Sequence, residues 1–143
     1  MDNILVTGGA GFIGANFINF LIDKTDDHIV NLDTLTYAAN KDNIEQQASG
    51  QYTFVEGDIR DKEFLIQLFD EYQFSRVVHF AAESHVDNSI ADPSAFVETN
   101  ITGTFHLLHT AYQLWMSKPF QLKSDFKKAR FLHVSTDEVD GSL

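Results

Sequence analysis

The stretch "ILVTGGAGFIG" (residues 4–14) decides the fold. Its first four residues are apolar or β-branched, as in a strand buried on both faces. Gly9-Ala10-Gly11-Phe12-Ile13-Gly14 then fits G-x-G-x-x-G, and Gly8, Gly11 and Gly14 form a second series spaced by three. Glycines at such a turn let the chain reverse tightly and bring bare backbone N–H groups up to a pyrophosphate. A helix starting there aims its positive dipole end at the same point. For a glycine pattern standing alone, a ligand-free turn is the competing reading. Here the pattern follows a β-like run, opens an amphipathic segment, and is followed 19 residues after Gly14 by Asp33. An acid about 20 residues on, at the end of the next strand, accepts hydrogen bonds from the ribose of a dinucleotide. A carboxylate at Asp33 also repels a 2′-phosphate, and "TLTYAAN" (34–40) supplies no Arg or Lys before Lys41. NAD is therefore expected rather than NADP.

Working outward, four more β-like runs follow: "HIVNL" (28–32), "YTFV" (52–55), "RVVHFA" (76–81) and "RFLHVS" (130–135). Between them lie segments of helical spacing. Phe12, Ile13, Asn16, Phe17, Phe20 and Leu21 trace one face. Phe64, Leu65, Leu68, Phe69 and Tyr72 trace another, and Phe96, Val97, Ile101, Phe105, Leu108, Ala111, Tyr112 and Trp115 a third. Strand and helix alternate, which implies right-handed βαβ crossovers. The expected fold is α/β: a Rossmann-type doubly wound parallel sheet of strand order 3-2-1-4-5. Residues 1–143 read as one dinucleotide-binding domain. Pro93 after Asp92 suits the first turn of the third long helix, and residues 117–129 read as a long surface loop.

Composition narrows the function. The 143 residues carry 21 acidic against 10 basic side chains, a net charge of −11. Such a surface repels a phosphate backbone, so no nucleic-acid partner is expected. The cluster Lys118, Lys123, Lys127, Lys128 and Arg130 reads as a solvated loop. There are no cysteines, which excludes a disulfide framework, a thiolate zinc site and a cysteine nucleophile. No leader-like segment and no apolar run of membrane-spanning length is seen. A soluble cytoplasmic protein without a membrane partner is the expectation. His106 and His109 fall three apart on a helix, but no carboxylate pattern accompanies them, and no metal is expected.

Three further places carry candidate chemistry. In "VEGDIRD" (55–61), the Asp58 carboxylate and the Ile59 amide can meet an adenine edge; equally, Asp58 can cap the next helix, with Asp61 the competing cap. In "HFAAESHVDNSI" (79–90), Ala81 and Ala82 are small enough for a ligand to approach the backbone at a strand's carboxyl end. Ser84 and His85 could donate to it, or could be a turn cap and an ordinary loop histidine. In "VSTDEVDGSL" (134–143), Ser135 and Glu138 fit a capping box. Against that, two neighbouring carboxyls, Asp137 and Glu138, can have their pKa values pushed apart into an acid and a base.

"TGGAGFIG", "DTLTYA", "GDIRD", "AAESHVD", "TNITGT" and "STDEV" occur in this order. Together they resemble the dTDP-glucose 4,6-dehydratases, within the extended short-chain dehydrogenases/reductases. The resemblance covers the whole chain and the N-terminal part of the family's proteins. It implies NAD as cofactor, dTDP-glucose as the nucleotide-sugar substrate, and a homodimeric full-length protein. It places Phe12 and Ile13 by the pyrophosphate, Asp33 and Thr36 by the adenosine ribose, and Asp58 and Ile59 by adenine. Ala81, Ala82 and Ser84 would line the nicotinamide side, Ser84 also touching substrate, and Thr99 would contact NAD. Thr136 would hydrogen-bond the sugar near C4, Asp137 would protonate the departing C6 hydroxyl, and Glu138 would remove the C5 proton. The implied reaction is oxidation at C4, loss of water across C5–C6 and reduction at C6. A carbon acid beside a carbonyl needs a base, and its β-hydroxyl needs an acid.

The chain departs from the family pattern at Asp140, where a tyrosine is usual, and at Asn88, where an arginine is common. The family's Tyr-x-x-x-Lys pair, which moves the C4 proton, falls some 25 residues beyond the terminal motif. The 143-residue chain is accordingly expected to be inert in catalysis. Two rival readings are a sugar epimerase of the same superfamily, which usually has small or hydroxyl residues in place of Asp137 and Glu138, and a non-catalytic NAD-binding or interaction module.

Overall fold

The computed structural model describes residues 1–35, 41–44, 50–82, 86–135 and 139. Five parallel strands form one sheet: β1 (Asn3–Thr7), β2 (His28–Asp33), β3 (Tyr52–Glu56), β4 (Arg76–His79) and, after a short hairpin of β5 (Met116–Lys118) and β6 (Gln121–Leu122), β7 (Arg130–His133). Their order is β3-β2-β1-β4-β7, the doubly wound arrangement read from the alternation of elements. Pairing is in continuous register, with Leu5 opposite Val30 on one side and Val77 on the other.

Side chains alternate across the strands, so each strand feeds two cores. Leu5, Val30, Leu32 and Val77 pack with Leu65, Leu68 and Phe69 of α2 (Lys62–Tyr72) and with Leu107, Ala111 and Trp115 of α5 (Thr104–Trp115). Ile4, Val6, Ile29 and Val78 pack with Ala15, Ile18 and Ile22 of α1 (Phe12–Lys24). The chain moves outward from β1 to β3 and then reverses to β4, which puts α1 on one face and α2 and α5 on the other.

Two helical faces differ from those expected. On α1 the buried positions are Gly14, Ala15, Ile18 and Ile22, while Phe12, Ile13 and Phe20 are exposed. Gly14 and Ala15 bring the start of α1 close to the sheet, Ile18 and Ile22 fill the core, and Phe12, Ile13 and Phe20 are left outside. On the third helix Leu107, Thr110, Ala111 and Trp115 are buried, whereas Val97, Ile101, Phe105, Leu108 and Tyr112 form an exposed stripe. Both faces of that segment are apolar, and spacing alone cannot say which one meets the sheet.

The third helical segment is also not uniform. A short α3 (Val86–Ala91) precedes Asp92, whose side chain accepts from Ser94 N–H and caps α4 (Pro93–Phe96), with Pro93 in the first turn. The chain then widens into a π-helical stretch, Val97–Gly103, before α5 begins. Residues 117–129 are more ordered than a plain loop. Met116–Lys118 (β5) pairs antiparallel with Gln121–Leu122 (β6), Phe120 turns the hairpin with φ 64°, and Ala129 is buried.

Candidate functional site

The carboxyl ends of the strands, at Thr7, Asp33, Glu56, His79 and His133, line one edge of the sheet. The expected β4 and β7 runs stop two residues early, at His79 and His133. Phe80 N–H makes the last backbone–backbone bond to β1, at Thr7 O (3.0 Å). There β1 turns into the glycine loop and ends the ladder.

Gly8, Gly14 and Gly11 each have a different reason. Gly8 has φ +71°, and a Cβ on it would stand 2.7 Å from Ala81 N and 2.8 Å from Ala81 Cα. The loop therefore lies directly on the carboxyl end of β4. A Cβ on Gly14 would collide with Gly8 O and lie 2.8 Å from Gly9 Cα, which is how α1 seats against the loop. Gly11 is different. Its φ of −73° suits any residue, and its Cβ would meet only Gly8 O at 3.4 Å. The protein's own packing does not demand glycine there.

The helix start beside Gly11 fits an anion. Gly11 is the N-cap of α1, no side chain caps that end, and its first turn holds no acid. By contrast, Asp61 caps α2 through Phe64 N–H, and Glu63 sits in its first turn. The first-turn amides of a helix have no partners within it, and a phosphate would satisfy both them and the dipole. Phe12 and Ile13, 80% and 66% exposed, flank this end.

Asp33 is buried, and it ties the loop together. Ala10 N–H donates to its Oδ2 (3.0 Å) and Leu35 N–H to its Oδ1 (2.9 Å). Each oxygen keeps a second lone pair for a further donor. Asn43 Nδ2 donates to Ala10 O (3.1 Å), holding the same residue from its other side.

The even balance at Asp58 is resolved against capping, because Asp61 takes that role. Asp58 instead accepts from Arg60 N–H (2.9 Å) and pairs with the Arg60 guanidinium at 2.6 Å. Burial pushes the Asp58 carboxyl up, but the hydrogen bonds and charge of Arg60 outweigh it and hold the carboxyl below its usual value. Ile59 is buried, its side chain packed where a Cβ on Gly103 would fall 2.7 Å away. Ala81 is half-buried against Gly8, Ala82 is exposed, and Thr99 lies half-buried in the π-helical stretch. Thr36, Ser84, Thr136, Asp137 and Glu138 lie outside the described residues, as do His85 and Asp140. One Tyr-x-x-x-Lys spelling does occur, Tyr37 to Lys41, in the segment after β2; Tyr37 also lies outside them.

One group escaped the motif reading. His79, only 1% exposed, joins Thr7 Oγ1 (2.6 Å) through Nδ1 and Thr104 Oγ1 (2.8 Å) through Nε2. Burial first, and His133 second, push its pKa down to about 4 from an ordinary 6.5. Unfolded His79 takes a proton near pH 6.5 and the folded one only near 4. Its stabilising contribution is complete above pH 6.5 and is lost as pH falls toward 4, by at most about 1.4 kcal/mol per pH unit. Urea unfolding across that window should show a slope shallower by about one proton in His79→Leu. An unchanged slope would refute the shift.

Among the described residues no group of three or more His, Asp or Glu is placed to hold a metal. No helix among them is long and apolar enough to cross a membrane.

The sheet, its reversal point and the glycine loop define a Rossmann-type α/β protein. The family model described as GDP-mannose 4,6 dehydratase matches residues 5–143, and the chain belongs to that family. It is 47% identical over 141 residues to a dTDP-glucose 4,6-dehydratase of Salmonella typhimurium, covering 98% of this chain and 38% of that one. The dTDP-glucose 4,6-dehydratase of Streptomyces venezuelae, solved with NAD bound, superposes with a TM-score of 0.81 at 44% identity, covering 99% of this chain and 41% of that one. A UDP-glucose 4-epimerase of Thermotoga maritima, solved with UDP-glucose, gives 0.71 at 32% identity, covering 78% of this chain and 34% of that one. The chain thus spans about two fifths of the length of the dehydratases it matches.

Proposed function

We propose that this chain is the NAD-binding part of a dTDP-glucose 4,6-dehydratase, a lyase of deoxysugar biosynthesis. The observation that carries the reading is Gly11, a glycine that the chain's own packing leaves open, beside an uncapped helix start. Asp33 stands at the second strand's end, where a ribose hydroxyl would donate. The relatives' names and the bound NAD in a solved neighbour support the cofactor and the substrate class. NAD, when bound, supplies a hydride acceptor.

Gly8, Gly11, Gly14, Phe12 and Ile13 would hold the pyrophosphate, Asp33 and Thr36 the ribose, and Asp58 and Ile59 the adenine. Ala81, Ala82, Ser84 and Thr99 would line the nicotinamide side. Thr136 would donate to the sugar near C4, Asp137 would give a proton to the C6 hydroxyl, and Glu138 would take the C5 proton. Ser84 and Thr136 would also hold the nucleotide sugar. The homodimer expected of the full-length protein belongs to this reading, as does a cytoplasmic location. The 143 residues alone would bind NAD without converting dTDP-glucose, since the family's redox pair belongs to later sequence.

The test is calorimetric titration of the chain with NAD and with NADP, plus an assay for the 4-keto-6-deoxy sugar. Saturable NAD binding, weaker NADP binding and no product are expected. In Asp33→Asn the preference for NAD over NADP should narrow by about tenfold, the equivalent of about 1.4 kcal/mol for one lost repulsion. Failure to bind NAD would sink the reading, and product from the chain alone would sink its inactivity.

A further inference from the structure

The residues assigned above to cofactor and sugar leave the buried Thr7–His79–Thr104 chain without a role. It joins three elements that meet at the ligand edge. Thr7 is the last residue of β1 before the glycine loop, His79 the last of β4, and Thr104 the first of α5. The Trp115 indole N–H donates to Phe74 O (2.7 Å), two residues before β4 begins. Thr104 therefore stands at one end of β4 and Trp115 at the other, so α5 runs antiparallel to the strand. The Val97–Gly103 stretch, with Thr99, then overhangs the carboxyl edge of the sheet, where ligands of open α/β sheets bind. π-helical turns cluster at functional positions.

The protons can be followed through the chain. Ala81 N–H donates to Thr7 Oγ1 (3.3 Å), which leaves the Thr7 hydroxyl proton for His79 Nδ1. Nδ1 then accepts, the ring proton sits on Nε2, and Nε2–H donates to Thr104 Oγ1. This assignment satisfies both ring nitrogens and the Thr7 hydroxyl with one neutral tautomer. The titratable neighbour is His133 of β7, its ring 5.1 Å away; Phe131 of the same strand stands at 6.4 Å.

We propose that His79 is the positioning residue of the dinucleotide edge: bonded at both ring nitrogens, it sets the distance between the Ala81–Ala82 backbone and the turn that carries Thr99. It touches neither cofactor nor sugar and acts through Thr7, Ala81 and Thr104. The proposal deepens the NAD reading given above and rests on it.

The 143-residue chain with His79→Leu, His79→Asn and His79→Gln is the test material. Leucine keeps the volume but bonds to neither threonine. Asparagine reaches the Nδ1 position and glutamine the Nε2 position, so each restores one half. The wild-type ring nitrogens, followed by NMR, should show one Nε2–H form throughout about pH 5.5 to 8, where a free histidine would titrate. His79→Leu should raise the NAD dissociation constant by about tenfold or more, as expected when buried partners lose their bonds. It should also speed amide exchange at Ala81 while leaving exchange in β2 unchanged. The Asn and Gln variants should recover part of the affinity. A ring that titrates near its ordinary value, or a leucine variant with wild-type NAD affinity, overturns the proposal. If the leucine variant fails to fold, the wild-type ring signature and the Gln variant decide. If wild-type chain takes no NAD, the functional reading fails by itself, and unchanged Ala81 exchange in the leucine variant would separately overturn the bridge.

Discussion

Gly8→Ala should cost about 2–5 kcal/mol of folding stability. A non-glycine residue in the left-handed region costs roughly 1–2 kcal/mol, and Gly8 sits there at φ +71°. The added methyl would also press on backbone, 2.7–2.9 Å from Ala81 N, Ala81 Cα and Phe80 C. Overpacking against atoms that cannot rotate away costs about 1–3 kcal/mol more. Set against a typical margin of roughly 5–15 kcal/mol, this is a large fraction. For a chain of this size the melting temperature should fall by roughly 10 °C, read by circular dichroism. A variant that melts with the wild type would mean that the loop does not rest on β4 as described.

Gly11→Ala should do the reverse. Its backbone is in an extended conformation open to any residue, and its methyl would meet one carbonyl oxygen at 3.4 Å. Exchanging glycine for alanine at an N-cap costs only about 1 kcal/mol or less, so the melting temperature should move by a few degrees at most. NAD affinity should drop much further. A methyl between the backbone and a pyrophosphate costs about 1–3 kcal/mol, roughly 5- to 150-fold in the dissociation constant. Calorimetric titration beside a thermal melt separates the two effects. Unchanged NAD affinity in a folded Gly11→Ala chain would remove the observation on which the proposed function stands.

The two glycines are three residues apart in one motif, and the motif assigns them one joint purpose. The difference lies in what each would strike, and Phe80 and Ala81, which follow β4 and supply the obstacle at Gly8, are more than 70 residues away in the chain. Asp33 gives a similar lesson. Its spacing from Gly14 marked it for a ribose, but nothing in the spacing announced that Ala10 N–H and Leu35 N–H would already hold its oxygens. At Asp58 the local pattern left a cap and a ligand contact in balance, and the Asp61–Phe64 bond settled which acid caps α2. His79 was hidden for another reason. A histidine closing an apolar run carries no periodic signal, and its partners Thr7 and Thr104 come from distant segments.

By itself the sequence determined the strand count of the main sheet, the order of its elements and the position of the glycine loop. Those follow from periodicity, backbone freedom at glycine and the handedness of crossovers, all of which are local or nearly so. Only the tertiary structure decided which apolar face of the third helix is core, where its π-helical stretch falls, and why Gly8, Gly11 and Gly14 are not interchangeable. Those depend on which atoms from remote segments arrive within a few ångströms, and close packing turns such distances into free energy.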